Sequence, residues 1–178
     1  MIALQAQRDG FLLRTTPKTV GIDTPGDLTL HTLLSTVPTP VQDSIALPGE
    51  YELSGLLITG IQVDDTVVYR VTSQGMSTVF VPERAVPATM QKSDTLGETI
   101  HVLLLRITDE SSLPMVKKLV DSVVPQAVVV VTSLSAPALQ KILPSQLTLA
   151  QSAQCTLSPT DLQEDSTLCT VIPLSTLT

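Results

Sequence analysis

Histidine and cysteine, the side chains that most often hold zinc or act as catalytic bases and nucleophiles, are scarce in this chain of 178 residues. It contains two histidines, His31 and His101, and two cysteines, Cys155 and Cys169. A zinc site needs three or four such ligands to converge, and the spacing of these four matches no zinc signature. A Ser-His-Asp or Cys-His site needs only one histidine, but no Ser or Cys lies in a nucleophile-elbow pattern. The sequence therefore offers few residues that could catalyse hydrolysis.

Two acidic side chains form the next candidate for chemistry. Glu50 and Glu52 flank Tyr51 with the spacing of a β-strand, so both point to one face. Such a pair could serve acid–base catalysis, or it could have a structural role at a turn or a sheet edge. We favour the structural role.

The two cysteines form a second pair of interest. If the last two predicted strands form a hairpin that is symmetric about Leu162, Cys155 and Cys169 lie opposite one another. They are then either a redox-sensitive cross-strand pair or two small buried hydrophobic side chains in a reducing compartment.

Composition narrows the classes of protein. The net charge is -7 and the ten Lys and Arg residues are scattered, which argues against a nucleic-acid partner. No apolar run approaches the length that spans a bilayer, and the N-terminus lacks a basic start followed by an apolar stretch. We therefore expect no membrane association and a cytoplasmic location. Length and a hydrophobic content of 43% favour one folded domain, 1–178.

The elements that must position these residues differ between the two halves of the chain. The first half alternates apolar and polar residues around short turns, which predicts an opening hairpin and then an antiparallel meander. The second half alternates buried strands with amphipathic segments, which predicts a parallel pair of strands joined by a helix with Ser112 as its cap. The predicted strands are 10–15, 19–23, 55–63, 66–72, 76–81, 100–106, 127–132, 153–157 and 167–173, and the predicted helices are 111–123 and 135–143.

One segment carries a resemblance to a known family. Residues 47–61 read L-P-G-E-Y-E-L-S-G-L-L-I-T-G-I and resemble a stretch of bacterial metallo-β-lactamase-fold proteins, in the branch similar to ascorbate-6-phosphate lactonase. The hairpin that ends at Asp23 and the segments 66–71, 102–107 and 124–131 resemble other strands of that family in the same order. The resemblance implies an α/β (α+β) fold of the αββα sandwich type, in which two β-sheets pack together with helices outside.

The family's metal-binding motifs are absent from the matching positions. Asp23 leads into a segment without the first histidine motif, Phe80 and Glu83 stand in the "H-L-G-D" segment, and Thr132 stands where the last histidine would fall. Phe80 has no donor atom, and one carboxylate does not hold zinc alone. Since the family's chemistry depends on metal-activated water, the resemblance implies the fold without the activity.

We therefore expect a pseudoenzyme with no metal and no cofactor. It would act through protein interaction, either with itself as a homo-oligomer or with another protein as an accessory subunit. The alternative is a hydrolase that works without the zinc site on a small phosphorylated or lactone substrate. A polar cleft near Asp23, Glu83 and Thr132 favours the hydrolase, and apolar side chains filling that region favour the interaction protein.

The segment 28–37 is the predicted contact surface. Leu30, Leu33, Leu34 and Val37 fall at helical spacing, and the segment stands where the resemblance places the first metal-binding loop. This apolar face either folds into the vacated cleft or is covered by another chain, and we favour the other chain.

Overall fold

Two β-sheets pack face to face in this protein, whose computed structural model describes residues 1–16, 18–34, 43–140, 143, 147–162 and 167–177. The smaller sheet has the strand order β13-β1-β2-β3-β4-β5. Its strands are β1 (Ile2–Ala6), β2 (Phe11–Arg14), β3 (Thr19–Ile22), β4 (Leu28–Leu30), β5 (Ser44–Ile45) and β13 (Gln154–Leu157).

The larger sheet has the order β12-β14-β11-β10-β9-β8-β7-β6. Its strands are β6 (Gly49–Leu53), β7 (Leu56–Val63), β8 (Thr66–Ser73), β9 (Met76–Pro82), β10 (Val102–Ile107), β11 (Ala127–Thr132), β12 (Leu147–Leu149) and β14 (Leu168–Pro173). The strands β6 to β9 run antiparallel, whereas β9, β10, β11, β14 and β12 run parallel to one another.

Three short helices pack on the outer face of the larger sheet. They are α1 (Val86–Gln91), α2 (Leu113–Val123) and α3 (Ala136–Gln140). Each contributes buried apolar side chains to a cluster with the outward residues of β10 and β11, such as Leu103 and Val128. In the ranges that the structure describes, no helix combines the length and the apolar character needed to cross a bilayer.

The core between the two sheets is built from the inward residues of both. Phe11 and Leu13 of β2 meet Leu104 and Val129 of the larger sheet in this layer. Tyr69 is fully buried here, and its hydroxyl oxygen lies 3.1 Å from the carbonyl oxygens of His31 and Ile45. This contact joins the larger sheet to the edge of the smaller one.

The predicted fold class is confirmed, and so are most of the predicted strands. The opening hairpin forms between β2 and β3, and the meander forms from β7, β8 and β9. The strands β10 and β11 pair in parallel on either side of α2, and both are buried on their two faces. This burial explains why their sequences are continuous apolar runs rather than alternating ones.

Ser112 is the N-cap residue of α2, as predicted. The Ser112 side chain makes no capping hydrogen bond. A short 3-10 turn, Glu110–Ser112, precedes the helix, and the Asp109 carboxylate accepts a hydrogen bond of 2.9 Å from the Ser111 N–H at its start. The side-chain capping hydrogen bond of this segment therefore lies at Asp109, at the start of the 3-10 turn, and not at Ser112.

The predicted C-terminal hairpin is wrong. The two strands exist, but β13 pairs with β1 in the smaller sheet, while β14 lies between β11 and β12 in the larger sheet. The residues Thr170, Val171 and Ile172 of β14 are all buried, as expected for an interior parallel strand, whereas β13 is partly exposed and suits an edge. The two strands therefore belong to different sheets.

The described residues at the start of the segment 28–37 do not follow the helical spacing noted for it, because Leu28–Leu30 form a strand. Leu28 and Leu30 are buried around half-buried Thr29, and this period of two forms β4, which pairs in parallel with β3. Leu33 forms an isolated antiparallel bridge with Thr66. In so short an apolar segment the spacing fits either period, and pairing with a neighbouring strand decided the outcome.

Candidate functional site

An open cleft of about 640 Å³ lies where the carboxyl ends of β9 and β10 approach the smaller sheet. Four carboxylates and two guanidinium groups line it, together with two hydroxyl side chains. The lining residues are Asp9, Asp23, Phe80, Pro82, Glu83, Arg84, Pro87, Arg106, Thr108, Asp109 and Ser112. Three of the four positions that the resemblance assigns to metal binding, Asp23, Phe80 and Glu83, are thus brought together.

Glu83 is fixed by hydrogen bonds to the segment that follows β10. Its Oε2 accepts from the Thr108 N–H at 3.0 Å and from the Thr108 hydroxyl at 2.8 Å, and its Oε1 accepts from the Asp109 N–H at 2.9 Å. Burial acts to raise the pKa of Glu83, but the Asp109 and Thr108 hydrogen bonds outweigh it, and the pKa falls below the ordinary value for glutamate. The carboxylate therefore acts as a fixed anchor between the ends of β9 and β10.

Asp23 is fixed in a similar way. It follows β3 in a left-handed backbone conformation, with φ 53°. Its carboxylate accepts from the Thr32 N–H at 2.8 Å and from the Thr32 hydroxyl at 2.5 Å. Thr32 is fully buried, so this interaction holds the chain after β4 against the end of β3.

Arg84 extends that interaction into the larger sheet. Its Nη2 donates to the Thr32 hydroxyl oxygen and its Nε donates to the Thr66 hydroxyl oxygen, each at 3.0 Å. The network Asp23–Thr32–Arg84–Thr66 therefore connects the two sheets beneath the cleft. Arg84 and Thr32 belong to no sequence motif, because their partners are distant along the chain.

Arg106 makes a second connection between the sheets. It projects from β10 and donates from Nη1 to the Gln7 carbonyl oxygen at 3.3 Å, and from Nη2 to the Arg8 carbonyl oxygen. Arg106 was not among the predicted site residues either. The signal was available, since Arg106 is the one charged residue in the apolar strand β10.

Phe80 and Thr132 are the other two positions that the resemblance assigns to metal binding. Phe80 is buried and packs edge-to-face on Phe11, with ring centroids 5.3 Å apart. Thr132, at the end of β11, is also buried, and its hydroxyl oxygen accepts from the Leu134 N–H at 2.9 Å. Thr132 does not appear among the residues that line the cleft.

This donor set does not fit a zinc ion. The aromatic ring of Phe80 offers no ligand, and the oxygens of Asp23 and Glu83 already accept hydrogen bonds from protein N–H and O–H groups. Across the described ranges, no group of three or more His, Cys, Asp or Glu side chains is placed to hold a metal ion. Thr108 and Ser112 are the hydroxyl side chains of the cleft lining, and no histidine lines it to activate them.

His101 forms a hydrogen bond with the neighbouring strand β9. It directly precedes β10, and its Nδ1 accepts a hydrogen bond of 3.1 Å from the Ser77 N–H. Burial, together with the Arg70 charge, lowers the pKa of His101. The neutral imidazole is therefore part of the connection between β9 and β10.

The predicted contact surface is only partly accessible. Leu30 is fully buried within its own chain, so its assignment to a contact surface is wrong. Leu33 and Leu34 are half-buried, and their role as contact residues remains a prediction. Val37 lies outside the described residues.

The predicted cross-strand cysteine pair is wrong. Cys155 packs against the core between the sheets and pairs across to Leu4, whereas Cys169 belongs to the cluster beneath the helices. Both thiols are free, and burial raises the pKa of Cys155 and raises that of Cys169 to about 12. Cys169 fits the interpretation as a buried hydrophobic side chain, whereas Cys155 is half-buried.

Two packed sheets with helices outside and a cleft at the strand ends place this chain in the metallo-β-lactamase-like fold class. Among solved structures it is similar to a Thermotoga maritima protein assigned as a zinc-dependent hydrolase of the metallo-β-lactamase superfamily, with a TM-score of 0.69 and 15% identity over 97% of this chain and 100% of that one. It is also similar to a variant of the β-hydroxylase CmlA, with a TM-score of 0.53 and 10% identity over 72% of this chain and 45% of that one. No protein-family model and no curated protein matches the chain.

Proposed function

We propose that this protein is a metallo-β-lactamase-fold pseudoenzyme, which works without a metal centre and acts through protein interaction. The observation that carries the proposal is the use of the former metal positions. Asp23, Glu83 and Thr132 accept structural hydrogen bonds, and Phe80 packs on an aromatic ring. Side chains that hold the fold together in this way are not available to bind zinc or to activate water.

The ascorbate-6-phosphate lactonase branch suggested by residues 47–61 remains part of the proposal. This part of the proposal is about the ancestry of the chain and not its activity, because the lactonase chemistry would need the metal ligands that the chain lacks. The partner is either a second copy of this chain or another protein. Exposed leucines on the hairpin of β6 and β7, Leu53 and Leu57, support a role in interaction.

The proposal is tested by metal content and catalysis together. Purified protein is dialysed, analysed for zinc, and assayed with phosphate esters and lactones before and after treatment with a chelator. We expect much less than one zinc per chain, an unchanged melting temperature after chelation, and no hydrolysis above background. One zinc per chain, with a melting temperature that falls on chelation, would contradict the proposal.

A second candidate function is a metal-independent hydrolase for a small phosphorylated or lactone substrate. The observation that favours it is the cleft itself, which is open and lined by charged side chains rather than filled by apolar ones. Arg84 and Arg106 line it and could contact an anionic group of a substrate.

The same assay separates the two candidates. Hydrolysis that survives chelation, and that is lost in Arg106→Ala but kept in Arg14→Ala, would favour the hydrolase. Arg14 is a suitable control because it is an exposed arginine on β2 that does not line the cleft.

A further inference from the structure

The strand β6 forms one edge of the larger sheet and, among the residues that the structure describes, pairs with β7 alone. The two strands are joined by a two-residue turn, Ser54 and Gly55, whose φ angles are 52° and 78°. In such a hairpin Leu53 and Leu56 form the hydrogen-bonded pair next to the turn, and bonded pairs then alternate along the strands. The main-chain groups of Glu50 and Glu52 therefore point away from β7, and no other described main-chain group bonds to them.

The side chains of β6 give this edge a chemical character. Glu50 and Glu52 are exposed on one face, the face that also carries Leu57. Neither carboxylate has a hydrogen-bond or ion-pair partner among the residues that the structure describes. Tyr51 and Leu53 lie on the opposite face, where Tyr51 packs against the core between the sheets and Leu53 is 41% exposed.

Exposed leucines gather around the same edge. Leu47 is 58% exposed and Leu57 is 49% exposed, and with Leu53 they account for half of the large exposed hydrophobic side chains in the described part of the chain. A partner that covers this edge would therefore remove apolar surface from water as well as completing main-chain hydrogen bonds.

The charges argue against a second copy of this chain on that edge. If two copies of β6 paired antiparallel about Tyr51, Glu50 of each would face Glu52 of the other, and like charges directly opposite are destabilising. Carboxylates on an open edge prevent self-pairing in this way. The same two carboxylates favour a strand that places cationic side chains opposite them. The net charge of -7 adds to the attraction for such a strand.

We infer that β6 is a docking edge for an extended segment of another protein that carries Lys or Arg at alternate positions. The basic side chains face Glu50 and Glu52, and apolar side chains between them lie beside Tyr51 and Leu53. The segment adds to the larger sheet as a further strand. This inference rests on the proposed role in protein interaction and narrows it from either kind of partner to a different protein.

The test uses the full chain and a blocked peptide of sequence Thr-Lys-Val-Lys-Val-Lys-Thr, with the same peptide carrying Glu in place of Lys as the charge control. Binding is measured by titration calorimetry, and amide hydrogen exchange locates the contact. The charge-reversal variant is E50K/E52K. The matched control is D94K/E98K, which makes the same change in net charge at two exposed acidic residues away from the edge.

We expect the lysine peptide to bind, and the amides of Glu50 and Glu52 to become protected from exchange. Affinity should fall by about tenfold in E50K/E52K, because two carboxylate–ammonium contacts are lost, and change little in D94K/E98K. No measurable binding, equal weakening in both variants, or binding without protection at these two amides would each overturn the inference.

Self-association is a separate outcome of the same experiment. A wild-type chain that forms dimers, and E50K/E52K chains that do not, would show that a second copy covers the edge and would overturn the inference while leaving the interaction proposal intact. Zinc binding or hydrolysis would instead overturn the proposed function, and it is measured without the peptide.

Discussion

Glu83 shows how one carboxylate can stabilise the fold from a position that the resemblance assigns to metal binding. Its hydrogen bonds with Thr108 and Asp109 require the ionised form, which is why its pKa is lowered in spite of burial. A lowered pKa in the folded state stabilises the protein fully above the unfolded pKa of about 4.3, and this stabilisation is lost as the pH falls through the lower folded value.

The variant Glu83→Gln should therefore be less stable at neutral pH, by about 1 kcal/mol for the weakened charged hydrogen bonds. Its free energy of unfolding should also depend less on pH between about 5 and 3 than that of the wild type. Urea denaturation at a series of pH values measures both effects. Glu98→Gln, at an exposed residue, is the control, and equal pH profiles for wild type and Glu83→Gln would refute the assignment.

The positions of Asp23 and Glu83 near the cleft could be anticipated from the motif order, but their bonding could not. Thr32 contacts Asp23 from nine residues away, and Thr108 contacts Glu83 from 25 residues away. Neither partner belongs to a recognisable motif. Only the packing of the two sheets brings them within hydrogen-bonding distance.

At the scale of elements, the end of α2 carries local strain. Val124 has φ 46° and ψ 58°, a left-handed conformation that β-branched residues rarely adopt, and its N–H donates to the Val120 carbonyl oxygen at 2.9 Å. The side chain is 72% exposed, so packing offsets little of this cost. Glycine is the residue that usually occupies such a position.

We expect Val124→Gly to stabilise the protein by about 1 kcal/mol, because glycine adopts this conformation without steric cost. The matched variant Val123→Gly, one residue earlier and within the helix, should destabilise it by about 1 kcal/mol or more. Thermal unfolding of both variants gives the comparison. A loss of stability in Val124→Gly would show instead that the Val124 side chain makes a stabilising contact.

Elements with strong local signals were predictable. The turn at Gln74 and Gly75 has positive φ at both residues and joins β8 to β9 as a tight hairpin, which the sequence indicated. The segment of β4 had no such signal. Its three residues form a strand because β3 and β5 lie on either side of it, and partners of this kind are not visible in a local pattern.

At the scale of the whole molecule, the two cysteines lie on opposite sides of the larger sheet. The inward neighbour of Cys169 is Thr170, and the Cys155 thiol contacts the side chain of Thr170 across the core. Packed sheets are about 10 Å apart, whereas bridged cysteines have Cα atoms about 4.4–6.8 Å apart. The native fold therefore keeps the two thiols from forming a disulfide.

Oxidation of the folded protein with diamide should produce no intramolecular disulfide, and Cys169 should react with a thiol reagent only after unfolding. Mass spectrometry of the alkylated protein measures both, with Cys155→Ser and Cys169→Ser assigning each signal. A bridged native species with unchanged circular dichroism would show that the arrangement of the strands is different from this one.

The assignment of β13 and β14 to different sheets is the part of the topology that the sequence predicted least well. The two strands are close in sequence, and nearby strands usually pair with each other. Here the acidic connection leads from β13 in the smaller sheet to β14 in the larger one. The sole local indication that β14 belongs to the larger sheet was its burial on both faces.

The positions of β13 and β14 also bear on the time at which the protein can fold during synthesis. The first strand, β1, lies between β2 and β13, so its hydrogen bonding is completed by residues about 150 positions later in the chain. The interior strand β14 joins β11 to β12 later still. A nascent chain that stops short of Leu168 would leave the edge of β11 unpaired, and an unpaired edge of Val and Thr residues is a site for aggregation. Pairings so far apart in sequence close slowly, so we expect this small protein to complete its fold only after translation has passed β14.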